Sequence, residues 1–436
     1  MKSALPKVLH ELAGRPMLDW GLALAAELGC ARTIVVTGKD AELVRARIEA
    51  APGDTRSVIQ HPPRGTGHAA RQAEVELSDF DGDVIVFFAD TPLIRAATLE
   101  RMFAERDAGA GAVMLGFHAA DPTGYGRILR DAAGIFARNV EHKDASEEER
   151  RETLCNAGAL VADRKILFQL ISMLRDDNAQ GEFYLTDVPG LAKSAGMNVA
   201  IVEAEEAEVM GVNSRAQLAE AEAAFQSRAR AAAMEAGVTL LDPSSVYFAY
   251  DTRIEPDVVI EPNVFFAKGV TIRRGARVHA FCHLIDTEIG ESAAIGPFAR
   301  FRPGTKLGPK TKVGNFVEIK NSTLAEGAKA SHLTYIGDAD VGARANIGCG
   351  TIVCNYDGFD KYRATIGEEA FIGSDTALVS PVKIGARAYT ATGSVITKDV
   401  PDGALAVARG RQSNIEGWAD KFRDKKRAEK AKKDAK

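Results

Sequence analysis

Hydrophobic and polar positions follow two different patterns along this chain, one in each half. From about residue 1 to 212, short apolar runs alternate with amphipathic stretches: TIVVT at 33–37 precedes AELVRARIEA, and DVIVFFAD at 83–90 precedes ATLERMFAERDA. Alternating strands and helices predict an α/β domain with a mostly parallel sheet. Ligands of such sheets bind at the carboxyl ends of the strands, so we expect the chemistry in loops such as ADTPL.

A helical connector is predicted between the two halves, over residues 213–237. The segment NSRAQLAEAEAAFQSRARAAAMEA is rich in Ala, Glu, Arg and Gln and contains neither Gly nor Pro. Asn213 and Ser214 are residue types that cap the start of a helix, and Gly237 suits its end.

The second half, over residues 238–410, repeats an apolar residue at six-residue intervals, with a one-residue slip between Leu284 and Ile289. The repeat comprises Ile254, Ile260, Phe266, Ile272, Val278 and Leu284; then Ile289, Ile295, Phe301, Leu307, Val313 and Ile319; and later Val341, Ile347, Val353, Ile366, Ile372, Leu378, Ile384 and Ile396. A hexapeptide repeat is typical of a parallel β-helix, in which three short strands form each coil and the repeated residue points inward. A conventional sandwich with chance spacing is the alternative.

Composition and charge narrow the class of protein. The chain has 436 residues, of which 46% are hydrophobic and 26% charged, and no apolar run approaches the length of a membrane span. Its net charge of -5 argues against nucleic-acid binding, although the segment 411–436 is basic and is predicted to be a mobile tail. The five cysteines are scattered and the first residues lack an apolar signal core, so we expect reduced thiols and a cytoplasmic protein.

Several motifs of the second half resemble one acetyltransferase family. They are GPFARFRPG, GNFVEIKN, SHLTYIGDADVG, NIGCGTIVCNYDG and IGSDTALVSPVKIG, in that order. Together they resemble the bifunctional N-acetylglucosamine-1-phosphate uridylyltransferase/glucosamine-1-phosphate N-acetyltransferase family. The resemblance implies a left-handed β-helix, since the period alone does not fix its hand.

The resemblance also implies site residues for acetyl transfer. It makes His332 the general base, a role suited to a side chain that titrates near neutral pH. The substrate-binding residues implied for the sugar 1-phosphate are Arg302, Lys320, Tyr335 and Asn346. The acetyl-CoA contacts implied are Cys349, Asn355, Tyr356, Ser374, Thr392 and Arg409. Members of the family form homotrimers with shared sites, and the segment 356–365, which interrupts the hexads, is expected to reach towards a neighbouring subunit.

The first half resembles the Rossmann-like nucleotidyltransferase domain of the same family. The matching segments are LPKVLHELAGRPML, QHPPRGTGHAA, PTGYGRI, VEHKDA, CNAGAL and MGVNSR. The resemblance implies that UTP or the UDP-sugar is bound by Lys7, Gln60, Gly65, Thr66, Gly126, Glu141, Asn156 and Asn213. It implies Mg²⁺ bound by Asp90 and Asn213, and hard oxygen ligands suit this ion.

One part of the family pattern does not occur in the printed sequence. Family members begin with a strand and a glycine-rich loop, LAAGxGTRM, that binds the nucleotide phosphates. We expect uridylyl transfer to be impaired, and acetyl transfer to survive, in a protein that lacks this loop. The alternative is a start assigned at an internal Met.

These resemblances predict a two-step enzyme. Acetyl-CoA acetylates glucosamine 1-phosphate, and UTP then converts the product into UDP-N-acetylglucosamine, a precursor of peptidoglycan and lipopolysaccharide. An enzyme limited to acetyl transfer, a different sugar-nucleotide pyrophosphorylase with a β-helical tail, and a non-catalytic trimeric scaffold are the competing hypotheses.

Overall fold

The computed structural model describes residues 1–39 and 41–434 and divides the chain into two compact units. Unit 1 comprises Met1–Ala232 and Phe248–Asp251, and unit 2 comprises Ala233–Tyr247 and the residues from Thr252 onward. Each unit is described by itself below.

Unit 1 contains α-helices and β-strands in mixed order. Its strands are β1 (Glu11–Leu12), β2 (Arg15–Pro16), β3 (Thr33–Gly38), β4 (Thr55–Gln60), β5 (Asp83–Val86), β6 (Ala112–His118), β7 (Arg127–Arg130), β8 (Phe136–Val140), β9 (Leu154–Asp163) and β10 (Val199–Ala204). Its α-helices are α1 (Met17–Glu27), α2 (Glu42–Glu49), α3 (Thr66–Arg71), α4 (Ala96–Asp107), α5 (Arg164–Ser172) and α6 (Val188–Ser194), and α7 (Arg215–Glu235) begins in this unit. Short 3-10 helices occupy Lys7–Leu9, Val75–Leu77, Glu149–Arg151, Leu185–Asp187 and Glu206–Glu208.

The main sheet of unit 1 is mixed, so the prediction of a mostly parallel sheet is wrong. Strand β10 is parallel to β6, but β9 is antiparallel to β5, β6 and β7, and β7 is antiparallel to β8. The physical reason is that β7, β8 and β9 follow one another without an α-helix between them. Parallel neighbours require a crossover connection, usually a helix, and this stretch of the chain supplies none.

Helices cover both faces of this sheet. Ala112 and Met114 of β6 pack with residues of α5 and α6 in one core cluster. Val113 and Leu115, which point the other way, pack with residues of α4 in a second cluster. Burial on both faces explains why the sequence of β6 is a nearly continuous apolar run.

Strands β3 and β4 form a separate parallel pair. A mainly apolar cavity of about 590 Å³ lies between this pair and β5, lined by side chains that include Val35, Val84 and Phe87. Lys7, Thr66 and Asp90 also line it, so the cavity adjoins residues implied in nucleotide binding.

Unit 2 is a parallel β-helix with three sheets, each of which contributes one face. Face 1 contains Thr239–Leu240, Val259–Ile260, Arg277–Val278, Ala294–Ile295, Lys312–Asn315, Lys329–His332, Asn346–Ile347, Phe371–Ile372, Tyr389–Thr390 and Leu405–Ala406. Face 2 contains Phe265–Phe266, His283–Leu284, Arg300–Phe301, Glu318–Lys320, Tyr335–Gly337, Ile352–Cys354, Ala377–Val379 and Val395–Ile396. Face 3 contains Arg253–Ile254, Val270–Ile272, Thr287–Ile289, Thr305–Leu307, Thr323–Leu324, Ala339–Val341, Ala364–Ile366 and Val382–Ile384. A 3-10 helix spans Pro243–Ser245.

The repeated hexad residues stack inside this β-helix, as predicted. Phe266, Leu284 and Phe301 are register partners in successive coils of face 2, and each is at most 1% exposed. Burial of one such residue per strand removes a continuous apolar column from water, which is the main stabilising contribution to a fold of this kind.

The corner between faces 1 and 2 carries an exposed apolar column, which we name the aromatic ridge: Phe281, Phe298, Phe316 and Leu333. Their φ angles lie between 48° and 61°, in the left-handed region. The ring of Phe298 stacks on those of Phe281 and Phe316, with centroids 4.9 and 5.2 Å apart. Bulky residues with positive φ are rare, so this column combines backbone strain with solvent exposure.

The basic segment after the β-helix includes an α-helix, α8 (Trp418–Asp434), whose side chains are all exposed. Among the helices that the structure describes, none has the length and apolar character needed to cross a membrane.

Candidate active sites

The structure places His332 in one column with three of the implied acetyl-CoA contacts. Ala330, Ile347, Ile372 and Thr390 are register partners on face 1, and the residue two positions after each lies at the corner. Those corner residues are His332, Cys349, Ser374 and Thr392. The repeat of the β-helix therefore lines up the candidate base with residues up to 60 positions later in the chain, or roughly three coils away.

Asn315, which the sequence analysis did not single out, lies in the same column on the preceding coil. It is the register partner of His332, and its Oδ1 lies 2.8 Å from His332 Nδ1. Asn315 and His332 are 17 residues apart, which is the length of one coil. The hexad register could therefore have predicted that these two residues lie on adjacent coils.

Positive charge gathers at the far end of the face 2 strands, where the chain turns into face 3. Arg302 and Lys320 follow the register partners Phe301 and Ile319 on adjacent coils. Arg302 Nη1 donates to Glu318 at 3.0 Å. Lys361, a further residue missed from the sequence, lies against Lys320, and this neighbouring ammonium group is the main reason that the pKa of Lys320 is lowered. Cations held close together form a suitable site for an anion such as a phosphate.

A buried carboxylate, Asp338, connects the implied phosphate and coenzyme residues. It is 7% exposed, accepts hydrogen bonds from Asn355 and, at 2.5 Å, from Asn321, and lies 3.8 Å from Lys320 Nζ. Burial alone raises the pKa of Asp338, but the hydrogen bonds from the two Asn side chains and the nearby Lys charges outweigh it and lower the pKa below its usual value. Asp338 is therefore a charged anchor for both Lys320 and Asn355.

The segment that interrupts the hexads forms an ordered loop. Tyr356 and Lys361 form an antiparallel bridge, and the N–H of Tyr362 donates to the C=O of Asn355 at 2.8 Å. Arg363 binds Asp340 with two hydrogen bonds of 2.5 and 2.6 Å. Phe359 at the tip is 92% exposed.

Tyr335 and Asn346, implied in binding the sugar, lie on different faces. Tyr335 is on face 2, where the absence of a side chain at Gly337 leaves room for its hydroxyl group. Asn346 is on face 1. The corner that carries His332 lies between these faces, and Arg409 follows the last strand of face 1.

In unit 1 the structure brings together three implied residues that are distant in sequence. Lys7 Nζ donates to Asp90 Oδ2 at 2.6 Å and to Asn213 Oδ1 at 2.7 Å. The neighbouring residue Ser214 accepts from the N–H of Gln217 at 3.1 Å, so Ser214 caps α7 and the Asn213 side chain faces Lys7. Two hard oxygen atoms thus converge on one cation, which is a donor set that also fits a divalent metal ion.

The residues implied in base recognition also lie together. Gln60 Nε2 donates to the C=O of Gly65 at 3.0 Å, and the N–H of Leu185 donates to the Thr66 hydroxyl oxygen at 3.0 Å. Gly65 has a φ of 97°, and a Cβ there would lie 2.6 Å from the C=O oxygen of Phe183. Only glycine fits this position.

Gly126, Glu141 and Asn156 form a third cluster in unit 1. The N–H of Asn156 donates to the C=O of Gly126 at 2.9 Å, and a Cβ at Gly126 would lie 3.2 Å from the Glu141 carboxylate. Thr186, which the sequence analysis missed, donates to Glu141 Oε1 at 2.7 Å. Burial, followed by the charge of Glu141, raises the pKa of the adjacent Asp187 to about 6.

The fold and these clusters define the class of protein: an α/β nucleotidyltransferase-type unit joined to a hexapeptide-repeat β-helix. A profile described as "MobA-like NTP transferase domain" matches residues 1–153. The chain is 55% identical to the bifunctional protein GlmU of Maricaulis maris over 435 residues, covering 100% of this chain and 96% of that protein. It is 50% identical to the bifunctional protein GlmU of Paramagnetospirillum magneticum over 436 residues, again covering 100% of this chain and 96% of the relative.

Sequence identity of this level over the full chain establishes family membership. This chain belongs to the family of the bifunctional protein GlmU, and its β-helix is of the left-handed hexapeptide type.

Proposed function

We propose that this protein makes UDP-N-acetylglucosamine in two steps, as an acyltransferase and a nucleotidyltransferase. The first step transfers the acetyl group of acetyl-CoA to the amine of glucosamine 1-phosphate. The second transfers a uridylyl group from UTP to the product and releases pyrophosphate. The product serves cell-wall synthesis, as a precursor of peptidoglycan and lipopolysaccharide. The observation that carries the proposal is the column containing His332, Cys349, Ser374 and Thr392, together with the positive cluster at the far end of face 2.

In the first step, we assign His332 as the base. The amine attacks the thioester carbonyl, a C–N bond forms and the C–S bond breaks, and the amine proton passes to the imidazole ring. The thiolate of CoA leaves and takes up a proton, so the ring can return to its neutral form. A positioned base of this kind contributes roughly 10²- to 10⁴-fold to the rate.

Substrate binding in this step is assigned to residues of face 1, of face 2 and of the loop that follows Ile352–Cys354. Arg302, Lys320 and Lys361 bind the phosphate through charge-assisted hydrogen bonds. Tyr335 and Asn346 hold the sugar. Acetyl-CoA is bound by Cys349, Ser374 and Thr392 along the His332 corner and by Asn355 and Tyr356, which follow the face 2 strand Ile352–Cys354. Arg409 is available to its acidic phosphates.

In the second step, unit 1 binds the nucleotide and the acetylated sugar. Gln60, Gly65 and Thr66 hold the uracil ring, and Gly126, Glu141 and Asn156 hold the sugar. Lys7 neutralises phosphate charge. Asp90 and Asn213 would hold Mg²⁺, which offsets the charge of the phosphate oxygens when bound; the convergence of both oxygens on Lys7 Nζ supports this assignment.

The active assembly is proposed to be a homotrimer. The aromatic ridge supports self-association, because Phe281, Phe298, Phe316 and Leu333 are each between 45% and 59% exposed and form a continuous apolar strip. The exposed tip of the loop at Phe359 supplies a second apolar contact. We place the protein in the cytoplasm without membrane insertion or nucleic-acid binding, in accord with its free cysteines.

The proposal is tested by identifying the products. The purified protein is incubated with glucosamine 1-phosphate and acetyl-CoA, and then with UTP and Mg²⁺, while mass spectrometry follows the sugar. We expect N-acetylglucosamine 1-phosphate in the first incubation, formed in a one-to-one ratio with free CoA. A sugar that gains no acetyl group would leave the scaffold hypothesis in place.

A further inference from the structure

We infer that Asn315 is a positioning residue that selects the catalytic tautomer of His332. The inference rests on the proposed role of His332 as the base. Asn315 Oδ1 lies 2.8 Å from His332 Nδ1, a normal hydrogen-bond distance. A side-chain amide oxygen can only accept a hydrogen bond, so the proton of the neutral ring resides on Nδ1.

Two backbone features hold the pair in place. The residues are register partners, and the N–H of Leu333 donates to the C=O of Asn315 at 3.0 Å. Each residue also precedes a left-handed corner residue, Phe316 with a φ of 58° and Leu333 with a φ of 48°. The corner therefore repeats on both coils and directs the two side chains towards each other.

The tautomer determines which nitrogen can act. With hydrogen on Nδ1, the lone pair lies on Nε2, and Nε2 is the atom that accepts the proton of the attacking amine. Once the ring is protonated, the Nδ1–H becomes part of a cation and its hydrogen bond to Asn315 strengthens. Asn315 thus fixes the ring and stabilises its charged form, without touching the substrate.

Among the residues at neighbouring register positions, Asn315 is the hydrogen-bond partner of His332 Nδ1. The titratable side chains on adjoining positions are Lys312 and Lys329 on face 1, Glu318 and Tyr335 on face 2 and Cys349 on the next coil. Glu318 accepts a hydrogen bond from Arg302. The two Lys ammonium groups only donate, so neither can accept from Nδ1–H.

The test compares two substitutions at this position. Asn315→Leu keeps the size of the side chain but removes the acceptor, and we expect kcat for acetyl transfer to fall roughly tenfold or more with KM for both substrates little changed. Asn315→Asp keeps an acceptor and adds a negative charge that stabilises the imidazolium ion. We expect it to retain more activity than the Leu variant and to move the acid limb of its pH–rate profile to higher pH by about one unit.

Three controls make the outcome decisive. Lys312→Ala, on the same strand, should behave as wild type. His332→Asn tests the proposed base itself, and if it retained full activity the proposed function of His332 would fail independently of Asn315. Nitrogen-15 NMR of the histidine ring reads the tautomer directly, and we expect protonated Nδ1 in the wild type and a mixture in Asn315→Leu. An inactive His332→Asn together with an unchanged kcat in Asn315→Leu, or an unshifted pH profile in Asn315→Asp, would overturn the inference.

Discussion

At the scale of single residues, Asp338 links two groups of residues in the acetyl-transfer site. One buried carboxylate accepts from Asn355 and lies close to Lys320, and these two residues are assigned to the coenzyme and to the phosphate. Loss of its charge leaves a neutral group that no longer balances Lys320 and Lys361. We therefore predict that the binding of both substrates depends on Asp338, which is itself assigned to neither.

Asp338→Asn is expected to raise KM for acetyl-CoA and for glucosamine 1-phosphate together, by about tenfold or more, because hydrogen bonds to a charged group contribute about 1.5–3 kcal/mol. Steady-state kinetics with each substrate varied in turn measures this change. Glu326→Gln is the control, since Glu326 is exposed in the same β-helix and pairs with Lys310 at 3.6 Å. A rise in only one KM would contradict the anchor role.

Asp187 gives a pH-dependent prediction in unit 1. Its folded-state pKa is about 6 against an ordinary value of 3.8, so the unfolded chain loses this proton at lower pH than the folded chain. The folded state is therefore progressively destabilised as pH rises from about 4 to 6, and the cost remains above that range. Asp187→Asn should raise the melting temperature at pH 7 and leave it almost unchanged at pH 4. Equal effects at both values would exclude this linkage.

The sequence predicted residues of this site by type and motif, but not their supporting contacts. His332, Lys320 and Asn355 stand in motifs of a known family. Asn315 and Lys361 act through neighbours on another coil or loop, and Thr186 reaches Glu141 across 45 positions. Such contacts depend on three-dimensional register, which a motif does not contain.

At the scale of secondary-structure elements, the period of six predicted the β-helix and the residues that point into its core. Each predicted apolar position on face 2 from Phe266 to Ile319 is buried because the inward direction recurs once per strand. The order of strands in unit 1 was harder to predict. Alternation of strands and helices up to residue 107 suggested parallel pairing, whereas β9 pairs antiparallel with β5 and β6.

Close approach between coils makes one glycine of the β-helix sensitive to substitution. A Cβ at Gly290 would lie 2.5 Å from the backbone of Gly308 on the next coil. Gly290→Ala should destabilise unit 2 by about 1–3 kcal/mol, as overpacking does in other cores. Thermal unfolding at a fixed protein concentration measures it. Gly410→Ala is the control because nothing lies within 4 Å of a Cβ there, and equal melting temperatures for the two variants would argue against close packing.

At the scale of the whole molecule, the aromatic ridge predicts that copies of the chain associate. Three stacked Phe rings at positive φ expose apolar surface beside His332, and contact with other copies of the chain would cover it. The hexad pattern did not predict this ridge. The pattern identifies the residue of each strand that points inward, whereas the ridge consists of corner residues.

Phe298→Glu is expected to convert the proposed trimer into smaller species, because it places a charge at the centre of the ridge. Light scattering coupled to gel filtration measures the mass. Val75→Glu is the matched control, since Val75 in unit 1 is 77% exposed. A variant at position 298 with the same mass as wild type would exclude the ridge from the interface.

The central claim is acetyl transfer at the β-helix with His332 as the base, and the most direct measurement is the rate of CoA release by His332→Asn. With glucosamine 1-phosphate and acetyl-CoA saturating, we predict a loss of roughly 10²- to 10⁴-fold, with an unchanged circular dichroism spectrum and melting temperature. A folded variant that releases CoA at the wild-type rate would contradict the account.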